Sequence, residues 1–191
     1  MTNESQQELI IEFKDNPDVF EKVYDSYYEI IFRYLAKRTF SGEVARDLTA
    51  ETFLKAFESF GKFSWKGVSI KAWLFRIAIN TLKNSYRDQK YNLNFDDEIL
   101  TNQPELVGDL REEIREIDRA LFGDDQLTNL SDALATLKDK QQHVISLYYF
   151  SGLSYEEISS VIDKSVSSVK SLMHRGMKQL KLILIDNPDY L

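Results

Sequence analysis

Apolar residues recur every three or four positions along most of this 191-residue chain, and that spacing commits it to helices. Over 18–38 the repeat is Val19/Phe20, Val23/Tyr24, Tyr27, Ile30/Ile31 and Tyr34. Over 44–60 it is Ala45, Leu48, Thr52/Phe53, Ala56/Phe57 and Phe60, and Gly61 stops that helix. A helix predicted over 70–90 carries two stripes: Phe75, Ile79, Leu82 and Tyr86 to bury, and Arg76, Asn80, Lys83 and Arg87 beside them to stay in water. After Pro104, Leu106, Leu110, Ile114, Ile117 and Leu121 mark an amphipathic helix that Gly123-Asp124-Asp125 ends. Further helices are predicted at about 130–136, 139–150, 154–162 and 166–185, with Ser151-Gly152-Leu153 as a break. Seven glycines and three prolines are too few for a turn-rich β fold. The expectation is an all-α protein with two helical domains, 1–90 and 129–191, joined by a linker over 91–128.

The absence of cysteine excludes disulfides, thiolate metal sites and cysteine nucleophiles. Two histidines without paired spacing give no reason to expect a metal, and no cofactor is expected. There is no phosphate loop, no HExxH and no nucleophile elbow, so no enzyme is expected either. The opening MTNESQQELIIEF has neither a basic stretch nor a long apolar run, so no secretory signal is expected. The apolar runs fall far short of a membrane span of roughly 20 residues.

Charge is distributed unevenly. The chain as a whole has a formal charge of −7. Residues 61–90 nevertheless carry Lys62, Lys66, Lys71, Arg76, Lys83, Arg87 and Lys90 against Asp88 alone. Residues 164–181 carry Lys164, Lys170, Arg175, Lys178 and Lys181 with no carboxylate at all. Between them, residues 96–125 hold eleven carboxylates against Arg111, Arg115 and Arg119. Solvated helix faces are the plain reading of charge runs. Two cationic islands, each on a predicted helix, point instead to a polyanion.

The second island has a recognisable architecture. In LSYEEISSVIDKSVSSVKSLMHRGMKQL a short helix, a tight turn and a longer cationic helix follow one another, which is the helix-turn-helix pattern. Ser154 with Glu157 forms a capping box, and Ser165 is a second N-cap candidate. Asp163 tolerates the left-handed backbone such a turn needs. Ile158, Val161, Ile162, Val166, Val169, Met173 and Met177 are expected to face inward. Ser165, Ser167, Ser168, Lys170, Ser171, His174, Arg175 and Lys178 are left for DNA, the small residues near base edges and the cations on phosphates. The competing reading is an ordinary helical hairpin with a solvated face.

Taken with DLTAETFLKAF (47–57) and SIKAWLFRIAINTLKNSYR (69–87), this motif resembles those of bacterial RNA polymerase sigma factors of the extracytoplasmic-function group, over about 18–90 and 130–183. The resemblance implies a region 2 that grips core polymerase through Asp47, Leu48, Glu51, Phe53 and Lys55. It implies −10 promoter recognition by Lys62, Phe63, Trp65, Lys66, Lys71, Arg76, Asn80, Lys83, Asn84 and Arg87, with Phe63 and Trp65 stacking on an unpaired base. Region 4, the helix-turn-helix, would read −35 DNA. The chain departs from the family pattern at Ala50, Asn84, Ser159, Asp163 and Leu172, which blurs the promoter sequence and leaves the architecture intact. Trp73 is expected in the core rather than on a base. The resemblance also implies an anti-sigma partner and bacterial cytoplasmic work. For the acidic linker, mimicry of nucleic acid in the polymerase cleft and a merely solubilising or docked helix remain equal readings. The alternative for the whole chain is a stand-alone helix-turn-helix regulator with an N-terminal sensing or dimerisation domain.

Overall fold

The computed structural model describes residues 3–39, 41–63, 68–93 and 133–186, and every regular element among them is helical. The chain divides into two compact units, Met1–Leu110 and Arg111–Leu191. The amphipathic segment 104–121 and most of the expected linker lie outside the described residues.

In the N-terminal unit, α1 (Asn3–Glu12) leads through a single 3-10 turn (Pro17–Val19) into α2 (Phe20–Thr39), α3 (Gly42–Phe60) and α4 (Ile70–Leu93). Local chemistry sets these boundaries. The Asn16 side chain accepts the Asp18 N–H at 3.2 Å, with Pro17 in the first turn where its missing N–H costs nothing. Ser41 caps α3 by accepting the Val44 N–H at 3.3 Å. Thr49 and Thr52 are fully buried inside α3, and each hydroxyl donates to the carbonyl one turn back, Ala45 and Leu48 respectively, at 2.6 Å. No buried hydroxyl there is left without an acceptor.

α2, α3 and α4 pack on one another around Val23, Ile31 and Leu35 from α2, Ala45, Ala56 and Phe60 from α3, and Ile70, Leu74, Phe75 and Ile79 from α4, all essentially sealed from water. Aromatic rings close one end of this core: Phe13, Phe20, Phe57 and Phe60 meet edge to face at 4.9–6.2 Å. At the other end the Tyr86 hydroxyl donates to the Arg38 carbonyl, tying the later part of α4 to the end of α2. Tyr86, expected in the buried stripe, is thus half-exposed and anchored through its polar tip, with burial of the ring still raising its pKa above the ordinary phenol value.

α1 has no counterpart in the periodicity of the sequence. Its apolar residues, Leu9, Ile10 and Ile11, are clustered rather than spaced, and Ile11 is exposed while Leu9 and Ile10 are buried. A ten-residue helix of this kind is held by tertiary contact rather than by its own pattern.

In the C-terminal unit, α5 (Asp139–Ile145) runs into a wide π turn (Ser146–Phe150), followed by α6 (Tyr155–Ile162) and α7 (Val166–Asp186). The single helix predicted over 139–150 is therefore two geometries. The Ser151 N–H reaches the Ser146 carbonyl at 3.1 Å, five residues back, and Leu153 reaches Leu147 at 3.0 Å. Gly152 supplies the positive φ of 60° that turns the chain toward α6. The core is built from Val144, Leu147, Leu153, Ile158 and Val169, all essentially without solvent exposure.

α7 is seated on α5 through a glycine. A Cβ at Gly176 would come within 2.8 Å of Ile145 Cδ1 and 3.2 Å of Gln141 Cβ, so a side chain there would force both neighbours on α5 to give way. Met177, expected inward, is 37% exposed instead. The contact line of α7 runs Val169, Met173, Gly176, Leu180, and Met177 sits one position off it.

Candidate nucleic-acid and partner interfaces

The outer face of α3 presents Asp47 and Glu51 to solvent, with Lys55 half-buried, ion-paired to Glu51 one turn away and 3.4 Å from the Thr81 hydroxyl of α4. Two expected contact residues on this helix are buried in the free chain. Leu48 is 5% and Phe53 4% exposed, because both lie on the stripe that packs against the other helices; the Phe53 ring is 4.9 Å from Tyr24. What the face offers in their place is Leu54 and Phe57, 58% and 42% exposed. Leu54 falls on the same side as Asp47, Glu51 and Glu58, at spacings of four, three and four. An apolar residue on a polar face was the available signal for it.

α4 carries the first cationic strip. Arg76, Asn80, Lys83, Asn84 and Arg87 are all exposed, Lys71 is half-buried, and no carboxylate lies between Ile70 and Arg87. The strip is rigid because the adjacent stripe, Phe75, Ile79 and Leu82, is buried to 3% exposure or less. Lys62 is exposed just after α3. Phe63 is half-buried, nearly parallel to Phe60 at 6.4 Å and tilted against Trp73 at 4.8 Å. Trp73 is itself half-buried between Phe60 and Phe63, so it belongs to the rim of the core. Trp65 and Lys66 lie outside the described residues.

The second strip is on α7, and the connection that presents it follows the predicted chemistry. The Ser154 N–H donates to Glu157 Oε2 at 2.9 Å, and the Glu157 N–H donates to the Ser154 hydroxyl at 3.1 Å, a complete capping box. Asp163 closes α6 at φ 53°, ψ 56°, and the next N–H, of Lys164, reaches back to the Ser159 carbonyl at 3.1 Å. Ser165 accepts the Ser168 N–H at 3.2 Å and also meets the Ser167 and Ser168 hydroxyls, so its oxygen is engaged in starting α7. Ser167, Lys170, Ser171, His174, Arg175 and Lys178 are exposed, and Ser168 is half-exposed.

Two of the cations are held in place. Arg175 Nε donates to the Ser171 carbonyl at 3.2 Å. The Lys170 ammonium lies 5.8 Å from the centroid of the Tyr155 ring, which is stacked on Tyr148 at 4.9 Å. Desolvation, reinforced by Tyr148 and Tyr149, raises the Tyr155 pKa above the ordinary phenol value. Sequence reading missed this aromatic support, because tyrosines on neighbouring elements have no shared period.

A left-handed backbone costs a non-glycine residue about 1–2 kcal/mol, less for Asp than for most. Asp163→Gly is accordingly expected to stabilise the C-terminal unit by up to about 1 kcal/mol, after the extra freedom glycine gains when unfolded is subtracted. Hydrogen-exchange protection of the α6 and α7 amides is the measurement; a fall in protection contradicts the strain assignment.

Sequence comparison identifies the same two units. The chain matches sigma-70 region 2 over residues 23–91 and sigma-70 region 4 over residues 127–180. The RNA polymerase sigma factor YlaC of Bacillus subtilis is 36% identical over 165 residues, covering 86% of this chain and 91% of that protein. The ECF RNA polymerase sigma factor BldN of Streptomyces coelicolor is 30% identical over 170 residues, 89% of this chain; the match spans 62% of BldN's length. In three dimensions the chain shares its fold with the sigma factor RpoE of Bartonella quintana, solved in complex with the anti-sigma factor NepR, at a TM-score of 0.67 and 22% identity over 86% of this chain and 96% of that one. Two helical units, each with a carboxylate-free cationic helix face, and a near-full-length match to YlaC lead to one assignment: the chain belongs to the extracytoplasmic-function sigma factors of the sigma-70 family.

Proposed function

We propose that this sigma factor divides promoter recognition between its two units. As a member of its family it is a transcription initiation factor that binds core RNA polymerase and directs it to promoters. Its own residues would do this without catalysis. On α3, Asp47 and Glu51, flanked by the exposed Leu54 and Phe57, supply the polymerase contact, with Lys55 steering Glu51 through their ion pair. On α4 and the turn before it, Lys62, Lys71, Arg76, Asn80, Lys83, Asn84 and Arg87 follow the −10 strand. Phe63, with Trp65 and Lys66 in the same connection, lines the path of an unstacked base. On α7, Ser167, Ser168 and Ser171 approach base edges of the −35 element, while Lys170, His174, Arg175 and Lys178 engage its backbone.

The observation that carries this reading is the pair of carboxylate-free strips, one per unit, each rigidly backed by buried core. A stand-alone regulator has no use for the first strip or for a region 2. The work takes place where polymerase and chromosome are, in the bacterial cytoplasm. Among the described residues no helix is long and apolar enough to cross a membrane. The RpoE neighbour is held by an anti-sigma factor, and a partner of that kind is proposed here as well.

The test is reconstitution. Purified core polymerase with this chain should select a two-element promoter from random DNA. Asp47→Arg with Glu51→Arg should weaken core binding at least about tenfold, because reversed charges now face the partner, while leaving −35 DNA binding intact. Unchanged core affinity on gel filtration contradicts the α3 assignment.

A further inference from the structure

α1 is joined to the start of α4 by a buried hydrogen bond that packing alone does not require. Gln6 is 4% exposed, and its Oε1 accepts the backbone N–H of Ile70 at 2.8 Å. Ile70 is the first residue of α4. The opening N–H groups of a helix have no partner within it. Ser69 satisfies another of them, accepting from Ala72 at 3.1 Å. The Ile70 donor is satisfied from the far end of the unit. An apolar side chain at position 6 would suit a buried site better, unless the acceptor is what the site needs.

The same segment also holds the other flank of the connection into α4. The Phe13 ring lies 3.6 Å from where a side chain on Gly61 would begin, and it meets Phe60 edge-on at 4.9 Å. Between these two anchors Gln7, Ile10 and Ile11 face Gly61, Lys62 and Phe63 across a groove of about 500 Å³. α1 and the turn after it therefore grip both the exit from α3 and the entry to α4.

We propose that Gln6 is a positioning residue for −10 recognition. By accepting the Ile70 N–H it fixes the first turn of α4 against Gly61–Phe63, and so sets where Lys71, Arg76 and Asn80 meet the DNA. This rests on the promoter reading above. Gln6 is buried within the unit and is not itself part of the outward cationic strip. The Ile70 N–H it accepts would otherwise be buried without an acceptor or drawn outward, tilting the cationic strip with it.

The experiment uses full-length protein with core polymerase and a promoter carrying 2-aminopurine in the −10 non-template strand. Gln6→Met keeps the volume and removes the acceptor; Gln6→Glu keeps an acceptor, at a helix start where negative charge is favoured. Gln6→Met should lower the probe's fluorescence rise about tenfold, the scale of one unsatisfied buried donor, with core affinity and −35 binding unchanged. Gln6→Glu should restore it. A bright wild type with an equally bright Gln6→Met variant overturns the positioning role, as does equal failure of Met and Glu or a parallel loss of core binding. A dark wild-type holoenzyme overturns the promoter reading itself.

Discussion

Phe60→Ala should lose about 3–5 kcal/mol of stability in the N-terminal unit, the range for deleting a buried phenylalanine. The residue has no solvent exposure. Its ring touches four others: Phe13 at 4.9 Å, Phe20 at 5.2 Å, Trp73 at 5.9 Å and Phe63 at 6.4 Å. These come from the turn after α1, from α2, from α4 and from the connection after α3, so no single neighbour can relax into the void without leaving another contact. A typical domain has about 5–15 kcal/mol in total, so the loss is a large share of it. The chain offers a clean readout, because both tryptophans, Trp65 and Trp73, precede residue 111. Tryptophan emission in urea should shift to a much lower midpoint, while hydrogen-exchange protection of the α6 and α7 amides in the C-terminal unit stays as it was. A tryptophan midpoint shifted by less than about 1 kcal/mol would mean the cluster repacks, and the ring is no hub.

The second large effect is electrostatic. Lys170→Ala, Arg175→Ala and Lys178→Ala combined should flatten the dependence of −35 DNA binding on log salt concentration by roughly 3, since each phosphate contact contributes about 0.9 through counterion release. All three side chains are exposed, so their removal leaves the core intact. Core-polymerase binding through α3 should not change. A salt slope equal to that of the unaltered protein would mean that the α7 strip faces water in the complex, and the −35 assignment would fall.

Features that depend on near neighbours were the ones legible in the sequence. The Ser154–Glu157 box, the Ser165 cap and the left-handed Asp163 each follow from chemistry within four residues, and all three stand where the pattern put them. The cationic strips were legible for a related reason: helix period alone decides which residues share a face. Leu48 and Phe53, implied as polymerase contacts by the motif resemblance, lie in the buried stripe that the same period marks. α1 and the Gln6–Ile70 bond join residues 64 apart, and nothing local marks them. The Gly176 contact escaped for the opposite reason: a glycine in mid-helix reads as a weakness until the neighbouring helix is seen against it.

The wide turn at Ser146–Phe150 holds one more residue than a regular turn of helix. That surplus fixes the phase of everything after it. Each residue of an α-helix advances the chain by about 100°, so a single deletion here would rotate the entry to α6 by about that angle about the α5 axis. The recognition surface of α7 would then swing away from any duplex aligned with the first half of the unit. Length in this short span is thus a steering element for the face that α7 presents.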